Sequence, residues 1–256
     1  MSSYHGGKQR IGLEIAENIH LTSTMIEDHT DFTIKGYCEP FCGMLGVYRH
    51  IPALFADHKP KLKYKAGDTN KSVIKMWQRA QKGWKPPKSC TEAYYEKLRK
   101  QTRSSAERGF IGHQYSYGGQ YFRGFAGKYG KNTSQPDAAN RVVKIAANLP
   151  MVEFSAGSYT QFLPLVGYVI YCDPPYAKRN EYFEENGDRV HFDNEVFWLV
   201  MQYLSQNNIV FISEYEAPKD FKLISSHNHH VFYGHRKRHK DNRERLFVHE
   251  RWTRDI

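Results

Sequence analysis

The chain has 256 residues, is 40% hydrophobic and 14% aromatic, and carries a formal net charge of +10. That length supports one sizeable core with room for a small insert, and no apolar run reaches the roughly 18 residues of a membrane span. The surplus of base points towards a polyanion as partner.

The first ten residues contain no apolar signal core, so a cytosolic or nuclear setting is expected and secretion is not. The four cysteines, Cys38, Cys42, Cys90 and Cys172, fit that setting as reduced thiols. Cys38 and Cys42 have no matching pair downstream, so no metal is expected.

Tyr4-His5-Gly6-Gly7-Lys8 opens the chain. Its glycines predict a tight turn close to a ligand, and Ile11, Ile15 and Ile19 predict a helix starting near Lys8. Phe32 to Cys38 reads as the first strand. Glu39-Pro40-Phe41-Cys42-Gly43-Met44-Leu45-Gly46-Val47 follows as a glycine loop, the layout of a nucleotide site. Leu62, Tyr64 and Ala66 alternate as a second strand ending near Asp68. An acid there would accept from ribose hydroxyls; Asp57 is the other candidate, and Asp68 is preferred. Val73, Ile74, Trp77 and Ala80 mark a helix with Asp68 or Thr69 near its cap.

Gly83-Trp84-Lys85-Pro86-Pro87 breaks the pattern and reads as a boundary. A short helix is expected over Thr91 to Lys100. Gly109 to Gly130, with seven glycines, reads as a loop or hairpin presenting Gln114, Tyr117, Gln120 and Arg123. Gln and Arg are well shaped for bidentate contacts to base edges. Arg108 and Lys128 are further basic candidates here. From Lys82 to Gln135 the chain carries 11 Lys and Arg against three Glu. A helix follows Pro136, with Val142, Val143, Ile145 and Leu149 on its apolar face, and Met151 to Phe154 reads as a strand.

Tyr168-Val169-Ile170-Tyr171-Cys172 is short, β-branched and aromatic, as a buried strand is. Pro174 and Pro175 must stop it, because neither can donate to a ladder. Asp173 therefore belongs at the strand's carboxyl end, where open α/β sheets bind ligands. Asp173-Pro174-Pro175-Tyr176 suits a planar exocyclic amine. The Asp173 carboxylate and the Pro174 carbonyl can accept its two hydrogens, and Tyr176 offers a stacking face. A charged loop runs from Ala177 to Asp193. Val196, Phe197, Leu199, Val200 and Leu204 predict a core helix, and Ile209 to Ser213 a strand. The basic loop His235 to Arg245, with Arg236, Lys237 and Arg238, is expected between strands at Val231 to Tyr233 and Leu246 to His249.

Four stretches, Tyr4 to Lys8, Tyr37 to Val47, Ala66 to Gln81 and Val169 to Ala177, resemble the Dam-type DNA adenine methyltransferases whose cofactor motif precedes the catalytic one. The resemblance covers most of the chain. Leu45 departs from it, since the family has glycine at that place. It implies an α/β, Rossmann-like doubly wound, mostly parallel sheet of the S-adenosylmethionine-dependent methyltransferase kind. Residues 1–85 and 137–256 would form that domain, and residues 86–136 a target-recognition insert. It implies S-adenosylmethionine as cofactor, held by Tyr4, Gly7, Lys8, Glu39, Pro40, Phe41, Gly43, Asp68, Ser158 and Asp173. The tetrapeptide Asp173, Pro174, Pro175 and Tyr176 would carry catalysis.

The expected reaction is methyl transfer to the N6 amine of a flipped adenine in double-stranded DNA. Cytosine N4, an RNA adenine, or an inactive DNA-binding relative are the alternatives. Cys172 precedes the prolines, which disfavours a cysteine nucleophile and hence cytosine C5 chemistry. The chain is expected to act as a monomer, or as a dimer on DNA, and a companion restriction endonuclease would suit such an enzyme.

Overall fold

The computed structural model describes residues 7–57, 59, 61–129, 135–175, 181–183, 189–228 and 243–254. Its first half contains α1 (Gly12–His29), β1 (Gly36–Glu39), α2 (Ile51–Phe55), β2 (Lys63–Asp68), α3 (Lys71–Gln81), α4 (Glu92–Arg99) and α5 (Ala106–Gln114). Then come α6 (Pro136–Asn148), β3 (Val152–Ala156), β4 (Tyr168–Cys172), β5 (Glu181–Phe183), β6 (Arg189–His191), α7 (Asn194–Leu204), β7 (Ile209–Glu214), β8 (Phe221–Asn228) and β9 (Arg243–His249).

Seven strands form one sheet in the order β3-β2-β1-β4-β7-β9-β8. The pairings from β3 through to β7 are parallel. β9 runs antiparallel to both of its neighbours, β7 and β8. Strand residues alternate between the two faces. Tyr37, Val169, Tyr171, Ile209 and Phe211 enter one core, with residues of α1, α3, α5 and α6. Cys38, Ile170, Cys172, Val210 and Ile212 enter the other, under Phe197, Met201 and Leu204 of α7. Both faces are buried, so the central strands read as continuous apolar runs. This is the expected Rossmann-like, doubly wound, mostly parallel sheet.

The chain leaves β1 towards β2 and β3, then crosses back to place β4 on the other side of β1. Strand order reverses there. The carboxyl ends of β1 and β4 thus flank the crevice in which such sheets take their ligands.

Several elements differ from expectation. β1 starts at Gly36, not Phe32; a Cβ on Gly36 would lie 2.4 Å from the Tyr168 ring, so only glycine fits. The cap of α3 is Asn70, whose side chain accepts from the N–H groups of Ser72 and Val73. Residues 106–114 are helical rather than looped. Their glycines are packing residues: a Cβ on Gly109 would lie 2.2 Å from the Ser72 carbonyl oxygen of α3. Beyond α5 the chain does close a hairpin-like turn, with Ser116 bridging Phe125. Val196 and Leu199 of α7 are exposed, so only part of the predicted apolar face is core. The strand that precedes β9 is Phe221–Asn228; the stretch expected at Val231 to Tyr233 lies outside the described residues. Among the described residues, no helix is long and apolar enough to cross a membrane.

Candidate active site

Three carboxyl ends build the site. Glu39 closes β1, Asp68 closes β2, and Asp173 follows directly on β4. Pro174 and Pro175 stop β4 at the point where its neighbour β7 continues. The segment leading into α1 brings Gly7 and Lys8 across this edge. One cavity is lined by Gly7, Lys8, Glu39, Phe41, Gly43 and Asp173, all named from the sequence as cofactor residues.

The glycine loop is held from several sides. The Gly43 N–H donates to Asp68 Oδ2 at 3.0 Å, and the Asn70 N–H donates to Oδ1 at 2.8 Å. The Trp77 indole donates to the Gly43 carbonyl at 2.9 Å. Asp68 therefore ties loop to strand. Burial pushes its carboxyl up, and the two backbone donors work against that. Leu45 has φ 54°, and Gly43 has φ 41°. The loop thus adopts the glycine conformation at Leu45 although the side chain is not glycine's. A Cβ on Gly46 would sit 3.0 Å from the Lys8 backbone nitrogen, so loop and N-terminal segment meet backbone to backbone.

Charge is concentrated at Lys8. Its side chain is 3% exposed, and its Nζ lies 2.6 and 2.7 Å from the two Asp173 oxygens. Nζ is also 3.1 Å from Glu244 Oε1. Burial acts to lower the Lys8 ammonium, but the Asp173 and Glu244 carboxylates outweigh it and hold it above its ordinary value. Lys8 is a cation at neutral pH. Glu39 is buried beside it and accepts a 2.7 Å hydrogen bond from the Tyr37 hydroxyl. Burial pushes the Glu39 carboxyl well up, so it favours the neutral form.

An ammonium beside buried carboxyl groups is the complement of an amino-acid zwitterion. Lys8 can take a carboxylate; Asp173 and Glu39 can take an ammonium. Surplus acid at one spot also favours a cationic centre such as a sulfonium. The residues present therefore fit S-adenosylmethionine, with Asp68 at the β2 end, where a nucleotide fold holds ribose.

The remaining candidates are dispersed. Pro40 is buried, and Phe41 stacks on Tyr159 with centroids 5.4 Å apart. Ser158 is exposed on the loop after β3 and caps a short 3-10 turn by accepting from the Thr160 N–H. That loop is fastened to the β2 end by the Gly157 N–H on the Asp68 carbonyl, 3.0 Å. Tyr4, Tyr176, Arg236, Lys237, Arg238 and the Lys128 side chain lie outside the described residues.

Two DNA candidates need correction. Arg108 is buried: its guanidinium donates to the Leu98 carbonyl and lies 5.1 Å from the centre of the Phe122 ring. Gln114 is buried at the end of α5. Both are held in the packing of residues 86–136, because residues 106–114 form the helix α5 and not the expected loop. Tyr117 and Arg123 are exposed and Gln120 half-buried, so these three can still meet a partner. Sequence reading missed Tyr171 and Met44, which also line the cavity, and Glu244. Glu244 sits between Arg243 and Arg245, and in the sequence that run looks like an exposed basic loop.

No family model matches the chain, and no curated protein matches it. Among solved structures, two of the rRNA methyltransferase AviRa from Streptomyces viridochromogenes are similar, each at 10% identity. One covers 92% of this chain and 86% of its own at a TM-score of 0.34; the other covers 90% and 84% at 0.33. A likeness that loose settles neither activity nor substrate.

Proposed function

We propose that this chain transfers a methyl group from S-adenosylmethionine to the N6 amine of an adenine flipped out of double-stranded DNA. The observation that carries the reading is the position of Asp173-Pro174-Pro175. It closes β4 at the reversal of strand order, in the same cleft as Lys8, Glu39 and the glycine loop.

Lys8, Glu39, Gly43 and Asp68 would hold the cofactor, and Asp173 and Pro174 the base. When bound, the cofactor supplies an electrophilic methyl group on a sulfonium. The Asp173 carboxylate and the Pro174 carbonyl accept the two amine hydrogens and turn the nitrogen lone pair towards that carbon. A C–N bond forms as the S–C bond breaks, its electron pair stays on sulfur, and the surplus amine proton leaves to solvent or to Asp173. No enzyme nucleophile is required, so alignment and placed acceptors supply the rate. Asp173 already receives Lys8 on both oxygens, but a carboxylate has about four acceptor positions. The base can share them or displace Lys8 from one.

Around this centre, the basic surface of residues 86–136 would hold DNA, with Tyr117, Gln120 and Arg123 towards it. Arg236, Lys237 and Arg238 would add phosphate contacts. The test is methyl transfer from labelled cofactor to mixed DNA and, separately, to mixed RNA, with the modified nucleoside identified by mass spectrometry. N6-methyladenine in DNA is expected and should vanish in Asp173→Ala. N4-methylcytosine, or label in RNA alone, would replace the substrate. No label in any nucleic acid would end the reading.

A further inference from the structure

We propose that Glu244 is the standing counter-ion of Lys8, a positioning residue that holds the ammonium while Asp173 turns to the incoming amine. This rests on the reading that Asp173 accepts a substrate amine.

Lys8 is almost wholly buried, so water cannot compensate its charge. In the structure both Asp173 oxygens serve it, at 2.6 and 2.7 Å. An amine arriving at Asp173 competes for those same oxygens. If Asp173 were the sole support, each turnover would loosen the hold on a buried cation, which is unfavourable. Glu244 removes that conflict. It projects from β9 with its side chain 3% exposed and Oε1 3.1 Å from Lys8 Nζ. That contact is an ion pair, and among the described residues no donor other than Lys8 reaches either Glu244 oxygen. A buried carboxylate in that state is costly. The cost is explained if the Lys8 ammonium swings onto it during part of the cycle.

The other groups around Lys8 are already engaged. Glu39 takes the Tyr37 hydroxyl, and the Tyr171 hydroxyl is paired with Ser213 at 2.8 Å. His227 stands opposite Glu244 across the ladder but is turned to Glu14, 2.9 Å from its Nδ1. Burial holds Glu39 towards its neutral form, so among the described residues Glu244 is the second carboxylate that receives Lys8.

The charge on Lys8 can be read directly by NMR titration of carbon-13-labelled lysine, the signal being assigned with Lys8→Arg. Asp173→Asn and Glu244→Gln should each leave Lys8 charged through about pH 9. The double variant should lower its midpoint by about 3 units or more, as for buried lysines without a partner. An unchanged midpoint in the double variant would overturn the proposal. If Glu244→Gln does not fold, Glu244→Asp on Asp173→Asn should lower the midpoint by less, and no shift there overturns it equally. In methyl transfer, Glu244→Gln should lower kcat by about tenfold or more, with the cofactor KM little changed. Glu244→Asp should restore part of the loss. A rise in cofactor KM without a fall in kcat would make Glu244 a binding support only, against the proposal. Absence of methyl transfer by the unaltered chain would defeat the functional reading, while the titration still judges Glu244.

Discussion

Replacing Leu45 by glycine and, separately, by alanine isolates the backbone cost of the cofactor loop. Leu45 is fully buried and stands at φ 54°. Either change deletes a buried side chain, a loss of about 2–5 kcal/mol. Alanine keeps a Cβ in the left-handed region, which costs about 1–2 kcal/mol; glycine does not. Glycine's freer unfolded chain offsets about 0.4–1 kcal/mol of that advantage. Leu45→Gly should therefore be more stable than Leu45→Ala by up to about 1.6 kcal/mol, the reverse of the order in an ordinary helix or strand. In a protein of this size each kcal/mol is about 2–4 °C in Tm. Urea denaturation of both variants, with equal slopes, gives the difference directly. If Leu45→Ala were more stable than Leu45→Gly, the left-handed turn at Leu45 would be wrong, and with it the loop geometry.

Asp68→Ala removes two charge-assisted hydrogen bonds to backbone N–H groups, each about 1.5–3 kcal/mol. Calorimetry with S-adenosylhomocysteine should show weaker binding and thermal melting of the free protein a lower Tm; full affinity would exclude Asp68 from the site. His113 is buried with its pKa lowered to about 4, so it stays neutral in the fold while the unfolded chain takes up a proton below about pH 6.5. Its folded pKa is depressed, so stability is lost as pH falls from about 6.5 to 4, by about 3 kcal/mol. His113→Gln should flatten that part of a urea-midpoint profile, and an unaltered profile would contradict the burial. Arg123→Ala should weaken binding to DNA, by about 1–3 kcal/mol on the target sequence alone if it reads a base. An equal loss on random DNA would make it a phosphate contact, and no loss would move the DNA surface elsewhere.

The site was more legible than the segment around it. Tyr168 to Pro175 is a buried apolar run stopped by prolines, a pattern with few other solutions, and it placed Asp173 correctly. Lys8 and Glu39, singled out by the resemblance and by the Glu-Pro-Phe before the glycine loop, both line the cavity. Glycine misled. Gly109 and Gly112 lower helix propensity, so α5 was read as loop; yet both are small because Ser72 and Tyr121 press against them. β8 escaped because Lys222, Ser225 and Ser226 dilute a strand that, among the described residues, pairs only with β9. Glu244 had no local signal at all. Its burial depends on β9 pairing in the middle of the sheet, a long-range fact that a run of charge does not disclose.

That pairing has a kinetic side. β9 is the last strand in the sequence, yet it lies between β7 and β8 rather than at the edge. Until it inserts, β7 and β8 have no common partner and the apolar backbone of β7 has an open ladder. The insertion also delivers Glu244 to Lys8, from the other end of the chain. Contacts between such distant segments form late and slowly, because loop closure must precede any gain from them. The glycine loop and the β1–β4 crevice can assemble from earlier segments. The charge balance at Lys8 cannot. A chain stalled before β9 would carry a formed crevice with an unbalanced cluster and an exposed strand edge, the kind of species prone to aggregate.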